Sequence, residues 1–300
     1  MDGILNIDKP CGKTSFDIVA TVRRLCGERR VGHAGTLDPA ATGVLPVGIG
    51  RGTRVIEFLA NTTKSYRAQI ELGVATDTYD GTGQVIEKKD PSGISRQQLE
   101  SALNLFRGSI QQTPPMYSAV KHRGQPLYKL ARAGIQVERK SRPAIIYRLE
   151  LISWQPPVAS VEVECSKGTY IRSLAHDMGQ SLGCGAHLKN LIRTRCGLFD
   201  VRDAISMPQL EEAFLYGYWQ YYVYPIDIVL QYQSAIIVNN ATEDTIRKGC
   251  SLALENKVCQ SENGSAEPDR CRAYSLDGRF LGVLYHIPEK GLWHPKKVIL

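Results

Sequence analysis

Residues 32 to 43 read Gly32-His33-Ala34-Gly35-Thr36-Leu37-Asp38-Pro39-Ala40-Ala41-Thr42-Gly43. Three glycines and a proline in twelve residues mark a loop. Glycine permits tight turns and close approach of a ligand, and proline fixes φ and removes a backbone donor. The segment carries one carboxylate, Asp38. Upstream, Gly3 to Asp8 alternates as a strand does, and Lys9 to Lys13 is a turn. Thr14 and Asp17 form a capping box ahead of Ile18, Val19, Val22 and Leu25 at helical spacing. Gly27 ends that helix. Downstream, Leu45 to Ile49 reads as a buried strand weakened by Pro46, and Thr53 to Ala60 as a short helix.

The remainder supports a soluble chain of 300 residues, long enough for two domains. Lys64 to Lys88 is expected to form a strand pair, turned at Gly81-Thr82-Gly83. Ser95 and Gln98 form a second capping box for a helix bearing Leu99, Ala102, Leu103 and Phe106, which Gly108 closes. Ile145 to Ile152 and Val158 to Cys165 are further strands. Lys167 to Tyr170 turns into a helix with Ile171, Leu174, Ala175, Met178 and Leu182 along one stripe. Leu188 to Leu198 is strand-like, and Met207 to Tyr216 is helical. Beyond a tyrosine-rich segment the pattern becomes short strands with polar turns. Ser261 to Pro268 is a loop, and Asp277-Gly278 turns a β-hairpin between Cys271–Ser275 and Arg279–Leu284. The division read is 1–232 and a small β-rich unit over 233–300.

No apolar run reaches the ~18 residues of a membrane span, and the N-terminus lacks a signal-peptide pattern, so a cytoplasmic location is expected. The eight cysteines have no Cys-x-x-Cys spacing and are expected to be mostly small buried thiols. The six histidines form no metal-ligand cluster, and no phosphate-binding loop is complete; neither metal nor cofactor is expected. Net charge is +7, and the stretch from Lys121 to Arg142 alone carries seven Lys/Arg against Glu138. Such a block is either a solvated surface or a polyanion contact, with nucleic acid the commonest partner.

Taken alone, an Asp before Pro in a glycine-rich loop caps a turn. Two features favour a chemical role. His33, Thr36 and Thr42 concentrate polar groups around Asp38. Arg172 sits in the first turn of a helix, where a cation meets the positive dipole end, which makes more sense with an anion such as Asp38 opposite. An arginine partner would keep such a carboxylate ionised by lowering its pKa. Tyr66 and Tyr170, in short polar strings, read first as half-buried core residues, with a stacking platform for a base as the functional alternative.

These strings together resemble the bacterial tRNA pseudouridine-55 synthases. Gly35-Thr-Leu-Asp38-Pro-Ala-Ala-Thr-Gly43 resembles their catalytic motif, Asp8-Lys9-Pro10-Cys-Gly12-Lys-Thr-Ser15 the first motif, and Lys64-Ser-Tyr66 the Lys-x-Tyr motif. Pro114 to Lys121 and Leu127 to Gly134 resemble the RNA-gripping insertion. Ser166 to Arg172 and Leu191-Ile-Arg193-Thr resemble the last two motifs. The segment from Tyr274 to Val298 is similar to a PUA RNA-binding domain.

The resemblance implies a mixed α/β (α+β) catalytic domain with a mostly antiparallel central sheet. It implies isomerisation of a uridine in the TΨC loop of tRNA, without cofactor or metal, by a monomer. Asp38 is then the nucleophile, Tyr66 stacks on the base and assists proton removal, and Arg172 pairs with Asp38. Tyr170 and Leu191 line the pocket, and His33 fills the space left by the extruded base. Lys9, Lys64, Lys121, Arg132 and Arg193 are expected to bind substrate. The competing readings are a non-catalytic RNA-binding or RNA-folding protein, and the catalytic subunit of a guide-RNA ribonucleoprotein. The basic insertion favours the stand-alone enzyme.

Overall fold

The computed structural model describes residues 1–254 and 270–299. The long strands of its main sheet are β1 (Gly3–Lys9), β2 (Thr42–Ile49), β3 (Lys64–Leu72), β4 (Gly108–Gln112), β5 (Arg142–Gln155), β6 (Val158–Cys165) and β7 (Ala186–Cys196). With the short β8 (Ile205–Ser206) they run in the order β8-β1-β2-β7-β3-β6-β5-β4. The β8–β1 and β2–β7 contacts are parallel and the others along this path antiparallel. A mixed, mostly antiparallel sheet is therefore what the chain forms.

Local chemistry accounts for the helices. Helix α1 (Ser15–Cys26) has both halves of the Thr14–Asp17 capping box and ends at Gly27 with φ 62°. Helix α2 (Ile56–Ala60) is one short turn after a 3-10 segment. Helix α3 (Arg96–Asn104) has the Ser95–Gln98 box. The basic stretch contains α4 (Leu127–Arg132). Helix α5 (Ile171–Ser181) buries Ile171, Leu174, Ala175 and Met178 against Ala68, Ile70 and Leu72 of β3 and against α3. Helix α6 (Met207–Leu215) has a third box, Ser206 with Gln209.

Two expectations need correcting. Strand β3 does not pair with residues 85–88. Its two edges are taken by β6 and β7, whose buried alternation matches its own, whereas the largely exposed Val85–Lys88 pairs with Val74–Thr76. Gly108, at φ 80°, opens β4 instead of closing α3, which ends at Asn104. Cys165, Cys184, Cys196 and Cys271 are buried, but Cys11 and Cys250 are exposed.

A second sheet of four strands follows: β9 (Ser234–Ile237), β10 (Arg270–Tyr274), β11 (Phe280–Ile287) and β12 (Leu292–Val298), with helix α7 (Asn240–Arg247). The Asp277-Gly278 hairpin forms between β10 and β11. The loop expected at Ser261 to Pro268 lies outside the described residues. This sheet is docked: Val283 and Ile299 share a core with Ile4, Phe58, Leu59 and Phe199, and Arg51 Nη1 donates to Ile299 O at 3.1 Å. The long β2–β7–β3 seam, however, is what positions the site.

Candidate active site

The Asp38 loop is held by main-chain carbonyls that its neighbours satisfy. Gly12 N–H donates to Pro39 O at 2.8 Å, and Lys9 Nζ to the same oxygen at 3.2 Å. Ser15 Oγ accepts from Leu37 N–H at 2.9 Å and donates to Leu37 O at 3.2 Å. From β7, Arg193 donates Nη2 to Gly35 O at 3.2 Å and Nε to Val44 O at 2.7 Å. Gly43 has φ 97°, and a Cβ there would lie 2.3 Å from Arg193 O, so the close β2–β7 approach requires glycine.

Asp38 meets Arg172 in a two-pronged pair, Nε to Oδ2 at 2.9 Å and Nη2 to Oδ1 at 3.0 Å. Such bidentate, charge-assisted geometry fixes orientation as well as charge. Arg172 is only 6% exposed. It also donates to Tyr117 O at 2.8 Å and to Thr78 O at 3.4 Å, and its Nη1 lies 3.5 Å from Asp80 Oδ2. Asp80 is fixed in turn by Thr78 Oγ1 at 2.7 Å and by Thr82 N–H and Oγ1 at 3.0 and 2.6 Å. One buried guanidinium thus joins two carboxylates.

Asp38 corrects a further expectation. Burial raises its pKa above the ordinary 3.8; Arg172 pulls it down, and Asp80 adds to the rise. The arginine opposes the desolvation without overcoming it. The side chain is still 40% exposed, on the wall of a cleft of about 880 Å³, large enough for a nucleotide-sized ligand.

Tyr66, Tyr170 and Leu191 line the same cleft, with Tyr117, Tyr128 and Arg132. Burial pushes the Tyr66 phenol up to about 12, with Arg193 beside it pulling the other way. It is a neutral donor near pH 7. Tyr170 precedes α5, which has no side-chain N-cap. Gln112 of β4 fixes the backbone of Tyr170: its Oε1 accepts from Tyr170 N–H at 2.7 Å and its Nε2 donates to Tyr170 O at 2.9 Å. Burial raises the Tyr170 phenol as well.

The expected substrate-binding residues divide. Lys9, Lys64 and Arg193 are buried. Lys64 Nζ donates to Leu59 O, Ala60 O and Thr62 O at 3.2, 2.7 and 2.7 Å, closing the end of α2. Burial lowers the pKa of both lysines. Lys121 is exposed in a small hairpin, 121–122 against 125–126. Arg132 lines the cleft with its guanidinium 5.6 Å from the Tyr128 ring centre. His33 pairs in a three-residue strand with Val47, outside the cleft lining. Its Nδ1 is buried without a partner among the described residues, and burial lowers its pKa.

Sequence reading missed Asp80, Gln112 and Tyr128. A signal existed for the first: Thr76-Asp-Thr-Tyr-Asp80-Gly-Thr82-Gly repeats the mixture of glycine, hydroxyl and carboxylate that singled out the Asp38 loop. Among the described residues no three His, Cys, Asp or Glu are grouped to hold a metal ion. No described helix is long and apolar enough to cross a membrane.

Comparison with known proteins follows the same lines. Residues 23–171 match the model for the N-terminal domain of TruB family pseudouridylate synthases, and residues 172–231 a tRNA pseudouridylate synthase B C-terminal domain. A tRNA pseudouridine synthase B of Dehalococcoides mccartyi (strain CBDB1) is 44% identical over all of this chain and 97% of its own length. One from Symbiobacterium thermophilum is 52% identical over 70% of this chain and 71% of its own. Among solved structures, a chain of a Cbf5-Nop10-Gar1 complex matches with TM-score 0.77 at 25% identity, over 99% of this chain and 85% of that one.

Proposed function

The chain belongs to the TruB family of pseudouridylate synthases, and from that premise we propose that it converts uridine-55 in the TΨC loop of tRNA to pseudouridine. The bidentate Asp38–Arg172 pair on the wall of a tyrosine-lined cleft is the observation that carries this reading. The net change moves one bond: N1–C1′ breaks, C5–C1′ forms, C5 loses its proton and N1 regains one. The reaction needs neither redox change nor phosphate transfer. The target base is inside an RNA fold and must leave the stack to be reached.

Asp38 is the nucleophile, and Arg172 orients it and offsets its desolvation. The second carboxylate, Asp80, keeps the guanidinium in place. Tyr66 and Tyr170 present faces and hydroxyls to the flipped base, with Leu191 as its apolar neighbour. A phenol with a pKa near 12 serves better as a donor than as a standing base, so the help of Tyr66 in proton removal is confined to a concerted step. Lys121 and Arg132 take phosphates. Lys9, Lys64 and Arg193 act indirectly by fixing the loop and β3. His33 faces the vacated position in the RNA. Residues 1–232 form the catalytic domain and 233–300 a PUA-like RNA-binding domain, and the protein acts as a monomer in the cytoplasm.

An assay on unmodified tRNA transcript with this protein alone tests the proposal. Tritium release from C5-labelled uridine is expected, and it is abolished in Asp38→Asn, which still binds tRNA. Binding without release by the native chain would instead mark an RNA-binding or RNA-folding protein. Release only with an added guide RNA would mark a ribonucleoprotein subunit.

A further inference from the structure

The loop carrying Asp80 is bound differently on its two sides. Toward β7 it makes a regular bridge, with Leu188 N–H donating to Tyr79 O and Gly81 N–H to Leu188 O, both at 3.0 Å. Toward α5 its polar contacts are long, 3.5 Å from Asp80 Oδ2 to Arg172 Nη1 and 3.4 Å from Arg172 to Thr78 O. One further contact closes that side. The ring of Tyr79 stacks on His176 with centroids 3.8 Å apart and planes 12° from parallel.

Three details give this stack a purpose. Residues 172 and 176 are four apart on α5 and share a face, as residues 79 and 80 are adjacent on the loop, so the stack and the Asp80–Arg172 contact lie side by side. Tyr79 has φ 64°, a left-handed conformation that a bulky residue rarely adopts; the ring contact is what that backbone delivers. His176 Nδ1 is buried with no hydrogen bond among the described residues, so polar bonding through that nitrogen does not orient the imidazole. Neither ring lines the cleft.

We propose that Tyr79 and His176 are a positioning pair for catalysis. Their stack sets the distance between the Asp80 loop and α5, and so the aim of Arg172 at Asp38. The pair acts through Arg172 without touching RNA. This rests on the roles proposed for Asp38 and Arg172.

The test uses the full chain on tRNA transcript, measuring single-turnover rate and dissociation constant separately. Tyr79→Gly removes the ring while suiting the left-handed backbone, so loss of fold is not built into it. Tyr79→Gly and His176→Ala are each expected to slow the single turnover on the order of tenfold, as a misplaced catalytic group does. The dissociation constant should stay within about twofold. Tyr79→Phe and His176→Phe keep a ring and should restore the rate. The double variant should be no slower than either single one.

Native rates in both ring-deleted variants, rates that phenylalanine fails to rescue, equal reductions of affinity and rate, or multiplicative rate reductions in the double variant would each overturn the pair. Asp38→Asn in the same series separates the two levels. Product from Asp38→Asn sinks the underlying site assignment. An inactive Asp38→Asn beside native-rate Tyr79→Gly and His176→Ala sinks only the positioning pair.

Discussion

The cations of the seam beneath the Asp38 loop and those of the basic insertion come from the same kind of sequence signal and meet opposite environments. Lys9, Lys64 and Arg193 are at most 6% exposed and point at main-chain carbonyls. Lys121, Arg123, Lys129 and Arg132 reach solvent. A buried ammonium is tolerated only with partners, and here the partners are carbonyls at strand ends, a helix end and the catalytic loop. The first group holds main-chain carbonyls, and its Lys64 and Arg193 also reach the wall of the cleft. The second is open to solvent, as the proposed phosphate contacts require. Arg172 stands between them, buried like the first but facing a carboxylate that opens to the cleft.

Substitutions can break that comparison. The largest effect belongs to the intermediate case: Asp38→Asn should reduce tritium release on the order of 10³-fold or more, with tRNA binding retained. Next comes Arg193→Met, which leaves two carbonyls without their donor. A fall of about 2–4 kcal/mol in unfolding free energy is expected from urea titration, with no change in the salt dependence of RNA binding. Lys9→Met releases Pro39 O from one of its two donors and should cost about 1–2 kcal/mol, accompanied by a slower single turnover at unaltered affinity. If either variant instead flattened the salt dependence, the buried cations would be phosphate ligands and the distinction would fail.

The exposed set should behave in reverse. Each of Lys121→Ala and Lys129→Ala should weaken tRNA binding and reduce the slope of log affinity against log salt by roughly 0.7–0.9 for each phosphate left unneutralised. Stability should stay within about 0.5 kcal/mol. The smallest signal is in pH. Burial raises the Asp38 pKa, and in the nucleophilic role proposed for it the carboxylate must be ionised. Activity should therefore fall as pH drops through a value above the ordinary 3.8. In Arg172→Ala, without the opposing charge, that acid limb should move further upward; a limb unmoved by the substitution would mean another group controls it.

The contrast also shows what sequence could and could not say. Capping boxes at Thr14–Asp17 and Ser95–Gln98 were legible because cap chemistry is settled within four residues. So was the loop around Asp38, through its glycines and its resemblance to a motif. The pairing of β3 was not, because it depends on which distant strands offer a matching buried edge. Nor was the fate of Lys64, since nothing local reveals that the end of α2 turns three carbonyls toward it. The direction of the Asp38 pKa was misjudged for a related reason: the arginine could be read from the helix start, but the depth of burial could not.

The separations spanned by these contacts carry a consequence for synthesis. Asp38 leaves the ribosome early, yet the arginine that pairs with it lies 134 residues later, and the one that holds Val44 lies 149 residues beyond that valine. Until β7 has emerged, β2 lacks its parallel neighbour and β3 lacks one of its two edges. Contacts so far apart along the chain form late and slowly. The N-terminal segments therefore wait, with backbone N–H and C=O groups along the β2 and β3 edges unpaired, for roughly ten seconds or more at ordinary elongation rates. A nascent chain stalled before β7 would carry the whole Asp38 loop and still lack the Arg193 that holds Gly35 O and Val44 O.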